Sequence, residues 1–486
     1  MCLDLLDADA LFAILAFTDV STIISLSRVN RYLREISSSR SAWVSIILDL
    51  SSRRLIDLPF DAVEGLSTDA LKDEVKRAVA GPRTWSPISL DRPTLLRQQT
   101  VPLQPHSRSD PSCAAHIIAY VKQPGEGGNF RGTAIQCLDG RTGCLLWNWT
   151  RPRHTILLAK FDFRGPSAAV VAIASFDERF SYHIMVLEVD LKTGESHEML
   201  ALRTGTLAAS RLHICGDYIA CNANHYSVLL INWRAEKCIV FGTFHSQRPS
   251  ELDLCPGYLM VAYGVLSAPQ YVLLYSFLSL DGLWRPMSEL DFASCFNATP
   301  IRPSLVLELP GNILPGDSVR RELTTTFLPS LMHADTYELI SEVVDFVSVP
   351  MNVPPVQQPF AYLRSLFRAG APPPAAAPPP PSHTIQLTAR SRHHLVLPTS
   401  PLTPPHFTFK SLSHRSSSFS SISGAGYGMQ YANTKIYVQR LDSTESAEPR
   451  EFSIPGTDEP LRWISMTHSG AILATHDSKV VVYHYL

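Results

Sequence analysis

Apolar residues fall at helical spacing near the amino terminus of this 486-residue chain and at strand-like intervals over most of the rest. Leu11, Ile14 and Leu15, with Phe12 beside them, recur three and four positions apart and predict a short helix capped by Asp7 or Asp9. Ser21 or Thr22 is expected to cap a second helix, where Ile23, Leu26, Ser27 and Val29 keep the period as far as the turn-tolerant Asn30. Leu33 and Ile36 begin a third. A fragment of this size lies near the roughly 40-residue lower limit for an independent core, so a partner or the rest of the chain must cover part of its apolar surface. A connector helix is predicted after Ser67 or Thr68, with Leu71, Val75 and Val79 on one face and Lys72, Glu74 and Lys76 on the other. Gly81-Pro82 stops it, and Trp85 beyond reads as an anchor between domains.

From about residue 86 the pattern becomes short runs rich in β-branched and aromatic residues, among them HIIAYV, AAVVAIASF, SVLLINW, YVLLYSFL and KVVVYHYL. Three runs share a grammar: strand, polar turn, strand. The turns are Asp139-Gly140-Arg141-Thr142-Gly143, Asp190-Leu191-Lys192-Thr193-Gly194 and Trp233-Arg234-Ala235-Glu236-Lys237. They suit an outer hairpin, in which Asp bonds the local backbone and Gly takes positive φ. Runs such as GDYIACNA and PGYLMVAYG precede them, and there Gly is expected to lead into a buried inner strand. The hairpin returns about every 40 to 50 residues, the spacing of propeller blades.

The fold expected is α+β and multidomain: a helical domain at 1–50, a helical connector at 51–85, and a mainly β domain divided between 86–345 and 431–486. Residues 346–430 read as an unstructured Pro/Ser-rich insertion, because APPPAAAPPPP cannot donate to a ladder and RSSSFSSISGAGYGM lacks large apolar groups. Without it, 86–486 holds about seven blades of roughly 45 residues, with six or eight as alternatives. No Trp-Asp or Gly-His pair marks the blades, so a divergent WD-like propeller leads and an irregular β-sandwich is the runner-up. Ser400-Pro401 and Thr403-Pro404 in the insertion make Ser400 and Thr403 candidate phosphorylation sites near Arg390, Arg392, His393 and His394.

The amino-terminal order of Leu6, an acidic cluster, Ile14-Leu15, Asp19, Ile23-Ile24, Leu26-Ser27, Val29-Asn30, Arg31, Leu33 and Trp43 resembles the F-box of fungal and other eukaryotic receptor proteins. The resemblance covers about a tenth of the chain and departs in one place: Asp7 stands where the family usually has a proline that fixes entry into the first helix. It implies that Leu6, Leu11, Ile14, Leu15, Val20, Ile23, Leu26 and Val29 are divided between an internal core and a surface that binds a Skp-type adaptor and, through it, a cullin. It further implies a substrate-recognition subunit of a Skp-cullin-F-box ubiquitin ligase, with the β domain binding the target protein. A helical cap on a scaffold with no ubiquitin output is the alternative.

Charge is nearly balanced, 42 Lys plus Arg against 44 Asp plus Glu, so no global field points to nucleic acid or an anionic membrane. The nine cysteines include no CxxC pair, which argues against a zinc site. Their odd count, with an acidic amino terminus, argues against a secreted disulfide framework; the expected location is cytoplasmic or nuclear, and the sequons at Asn148 and Asn297 are then accidental. Leu254 to Leu280 has the length of a membrane span and no charged residue, but Pro256, Gly257, Gly264 and Pro269 make it two buried strands.

Catalytic patterns are weak. Gly316-Asp317-Ser318 has no glycine framework, base or oxyanion donors nearby, GEGGNFRG at 125–132 has no following Lys-Ser or Lys-Thr, and His393-His394 cannot readily share one metal. A hydrolase on a propeller frame is therefore the weakest of the three readings; the expectation is a non-catalytic binding protein with no cofactor and no metal.

Overall fold

The computed structural model describes residues 6–53, 55–58, 60–86, 89, 92–104, 108–110, 115–121, 132–165, 167–205, 210–223, 227–242, 249–263, 270–290, 298–309, 318–349, 382–397, 404–413, 421–432, 435–441, 449–454 and 461–485. Helices come first: α1 (Ala8–Leu15), α2 (Val20–Leu26), α3 (Arg31–Ser37), α4 (Arg40–Ser52), α5 (Phe60–Gly65) and α6 (Thr68–Ala80). Asp7 caps α1, accepting from Ala10 N at 2.7 Å, as the sequence suggested. Asp19, and neither Ser21 nor Thr22, caps α2 by accepting from Thr22 N at 2.7 Å. Its carboxylate reaches the free amides one turn further on, where Ser21 and Thr22 already lie inside the helix. Asn30 caps α3 and Ser67 caps α6.

The expected division at residue 50 does not separate two cores. One cluster runs from Leu11, Leu15 and Ile23 through Trp43, Ile47 and Leu50 to Leu71, Val75 and Ala78. These helices form a single cap. Gly81 then ends α6 at φ +75°, against the ring of Tyr427, where any side chain would collide.

Seven sheets follow, each with a four-strand antiparallel meander, and they make a seven-bladed β-propeller. In chain order, blade 1 spans Arg108 to Thr150, blade 2 His154 to Gly205, blade 3 Ser210 to Gly242, blade 4 Pro249 to Leu309, blade 5 Ser318 to Ser413 and blade 6 Ser421 to Ser453. Blade 7 takes three strands from the carboxyl terminus, Trp463–Met466, Ile472–Thr475 and Lys479–Tyr485, and its outer strand, Leu95–Pro102, from just after the cap. Val101 pairs with Val480 in this closure, so the ring is locked by chain segments from its two ends.

First strands of neighbouring blades approach one another around the axis. The strands after Gly216 and Gly257, Tyr218–Asn222 and Tyr258–Tyr263, are second in their blades and not innermost. They are buried because both faces meet neighbouring blades, as Ile219 and Ala220 show by joining different cores. The innermost strands before them carry alternating charge: Arg211 and His213 of blade 3 meet Glu251 and Asp253 of blade 4 at 2.5 and 3.3 Å.

Two of the three polar turns behave as their sequence predicts, whereas in the third Asn232 accepts from Ala235 N and Glu236 takes the positive φ. Asp139 Oδ1 accepts from Arg141 N and Thr142 N at 2.8 and 2.7 Å, and Asp190 Oδ1 does the same for Lys192 N and Thr193 N at 2.8 and 3.3 Å. Both join third to outer strands. In blade 4 the stretch Leu254 to Leu280 contains Tyr258–Tyr263 and Gln270–Ser276, two paired strands; among the described residues no helix is long and apolar enough to cross a membrane.

The expected insertion at 346–430 is mostly sheet where it is described. Blade 5 pairs Thr336–Val349 with Ser382–Val396 and the latter with His406–Ser413, and blade 6 begins at Ser421. His393 and His394 therefore lie on a strand, with His393 4% exposed. Alternation continues through HTIQLTARSRHHLVL, and neighbouring proline and serine obscure it in composition alone. The polyproline run at 371–381, Ser400, Thr403, Asn297, Gly316-Asp317 and most of GEGGNFRG lie outside the described residues; Gly132 bridges Ile156.

Candidate protein-docking surfaces

Antiparallel meanders put the turn between first and second strands and the turn between third and fourth strands on one face of the ring. The cap sits on that face. The blade 5 turn inserts Leu331, 5% exposed, into the helical core, while Met332 O accepts from Ser21 N at 3.1 Å and Ser330 O from Arg53 at 3.0 Å. Asp19 meets His333 at 3.5 Å; burial opposes its charge, but bonds from Thr22 and the His333 charge leave its carboxyl below the usual range. Asp57 receives the hydroxyls of Ser469 and, at 3.4 Å, Thr467 from the blade 7 turn. Trp85 is 1% exposed between Tyr427 and Tyr485, with ring centroids 5.7 and 5.6 Å away, so it is an anchor.

The eight residues singled out in the helical segment separate clearly. Leu11, Leu15, Val20 and Ile23 are buried in the cap core; Leu6 and Leu26 are half-buried against it; Ile14 and Val29 are exposed. Two more apolar side chains share that exposure: Phe17, 92% exposed just past the end of α1, and Tyr32 on α3, whose hydroxyl donates to Leu6 O at 3.1 Å. The signal for Phe17 was present in the sequence. Leu11 and Leu15 already fill the stripe of α1, so an aromatic two positions past Leu15 falls outside that stripe.

A concave surface lies between blades 5 and 6 beside the cap. This cleft of about 630 Å³ is lined by Val79, the blade 5 turn, Glu338, Arg392, His394, Lys410, the blade 6 turn Gly424–Gly426 and Arg440. Arg392, 2% exposed, donates its Nε to Glu338 at 2.5 Å. Lys410 and Arg440 stand at the exposed rim, and Arg440 covers the Tyr427 ring at 6.0 Å. Desolvation, followed by the charge of Arg392, lowers the pKa of Lys410 despite Glu338; desolvation and Lys410 lower that of His394.

A polar cluster in blade 2 invites a catalytic reading. His154 Nδ1 is 3.3 Å from Ser175 Oγ, the His154 and His183 rings meet edge to face at 4.9 Å, and His183 Nε2 is 3.4 Å from Asp177. Ser175, however, is wholly buried, and Asp177 spends its other oxygen on Arg179 N and Ser181 N. The cluster ties the first three strands of blade 2 together and offers no reachable nucleophile. Among the described residues no group of three or more His, Cys, Asp or Glu is placed to hold a metal ion.

No family model matches the chain, and no curated protein matches it. Among solved structures it is similar to a chain of the mitotic checkpoint complex at 9% identity and a TM-score of 0.40, covering 83% of this chain and 96% of that one. It is also similar to the Cps50 (Swd1) β-propeller domain of Myceliophteria thermophila at 9% identity and a TM-score of 0.42, covering 80% and 99%.

Proposed function

We propose that the chain is a substrate receptor of a Skp-cullin-F-box ligase, its helical cap binding a Skp-type adaptor and its propeller holding a target protein. The observation that carries this reading is the exposure of Phe17, with Ile14 and Val29, on a cap whose core is already complete. Exposed aromatic and aliphatic side chains on short helices are suited to desolvation by a partner's helices. On this reading Leu11, Leu15, Val20 and Ile23 hold the cap together, while Ile14, Phe17 and Val29, flanked by Leu6 and Leu26, face the adaptor. The chain supplies proximity, raising the effective concentration of target beside the transfer enzyme.

The scaffold reading has its own support, the insertion of Leu331 into the cap core, which makes the helices a lid on the propeller. Co-purification of the full chain with a Skp-type adaptor separates the two. The Phe17→Asp, Val29→Asp double variant should fold as the wild type does by circular dichroism and lose the adaptor. A folded wild type that fails to bind, or a double variant that binds equally, would leave the scaffold reading standing.

A further inference from the structure

We propose that the cleft between blades 5 and 6 binds a carboxylate-rich peptide, gripped at its rim by Lys410 and Arg440. The inference does not rest on adaptor binding, because the cations that carry it belong to blades 5 and 6 and none of the exposed apolar groups of the cap lines the cleft. Three fixed cations, Arg392, Lys410 and Arg440, converge here from two strands of blade 5 and one of blade 6, against the two carboxylates Glu338 and Asp335. Glu338 is engaged by the buried guanidinium of Arg392, which makes that pair the floor of the cleft. The ammonium of Lys410 then stands near two guanidinium groups, and its proton is held less tightly than on a solvated lysine. An incoming carboxylate relieves that repulsion and accepts from both rim residues.

The shape selects the ligand. About 630 Å³ accommodates a few side chains, not a duplex, and two exposed cations at the rim are too few to hold a continuous polyanion such as nucleic acid. Separate carboxylates along a peptide can place one charge at the rim and keep the next clear of Glu338. Such a ligand binds in a salt-sensitive manner, because Lys410 and Arg440 are exposed.

The test uses the full chain and a fluorescein-labelled peptide of alternating glutamate and glycine, with the glutamine counterpart as control, read by anisotropy. The glutamate peptide should bind saturably and the glutamine peptide should not. Lys410→Glu and Arg440→Glu should each weaken binding about tenfold or more, whereas Lys192→Glu, an equal charge change on the exposed turn of blade 2, should leave it unchanged. Lys410→Gln keeps the test open if a reversed charge disturbs folding, and should give a smaller loss. No binding of the glutamate peptide, or an equal loss in Lys192→Glu, would overturn the proposal. Saturable binding of inorganic phosphate with none of the peptide would instead assign a small-anion site and overturn it as well.

Discussion

In the propeller, Val170, Val186, Leu212, Ile219 and Leu229 meet in a core built from strands of blades 2 and 3, whereas the core of the cap is finished by Leu331 from blade 5. One region closes on itself; the other closes only on its neighbour. Sheets arranged in a ring give almost every blade two partners, so apolar surface on both faces is buried without outside help. Six short helices near the lower size limit for independent folding have no such symmetry and depend on a turn from elsewhere in the chain. The cap should therefore be the less autonomous region, and its exposed apolar groups are those that the shared core leaves over.

The contrast is tested most severely at the ring closure. Val101 is wholly buried on Leu95–Pro102, packed with Ile117, Leu473 and Val482 at the junction of blades 1 and 7. Val101→Asp puts an unpaired carboxylate there and should cost about 4 kcal/mol or more, lowering the unfolding midpoint of cap and propeller together. Chemical denaturation followed by tryptophan fluorescence measures it. A midpoint near that of the wild type would mean that the ring does not need its closing strand.

Leu331→Ala acts on the other side of the comparison. Its loss should cost about 2 to 4 kcal/mol, as expected for a leucine truncated in a core, and the cost should fall on the cap. Hydrogen exchange should quicken in α1 to α4 and in the blade 5 turn while blade 2, far along the ring, keeps its protection. Uniform acceleration through both regions would show that the cap and the propeller unfold as one unit.

How much of this was legible depended on how local the determining interaction is. The turns at Asp139 and Asp190 were readable because their hydrogen bonds stay within three residues, and so was the cap of α1 at Asp7. The closing strand was not: in LLRQQTVP the polar Arg97, Gln98 and Gln99 interrupt the apolar pattern, as suits an outer strand with an exposed face. The innermost strands HTILLAKFDF and PSELDLC were hidden for a related reason, since their carboxylates Asp162, Glu251 and Asp253 bond to the neighbouring blade. Among the candidate adaptor residues, helical phase identified an apolar set. Only tertiary packing could say that Leu15 faces inward and Ile14 outward, because both lie on the broad apolar stripe of α1.

Acid should sharpen the comparison through two histidines, one at each kind of closure. His484, 3% exposed on the last strand, lies 3.1 Å from Arg97 of the closing strand; since a guanidinium can only donate, Nε2 of His484 must be unprotonated there. Burial first, then the charges of Arg97 and Arg77, push its pKa down to about 3. His468, in the blade 7 turn beside the cap, has Nε2 out of solvent and is pushed down to about 4 by desolvation and by Arg53. Both folded values lie below the ordinary 6.5, so the unfolded chain binds more protons as pH falls, and stability must fall with it. From about pH 7.5 to about pH 5.5 each histidine should remove about 1 kcal/mol, the smallest of the three effects. His484→Gln should flatten the closure's share and leave that of the seam, and His468→Gln the reverse. An unfolding free energy that keeps the wild-type slope in both variants would place the acid sensitivity elsewhere.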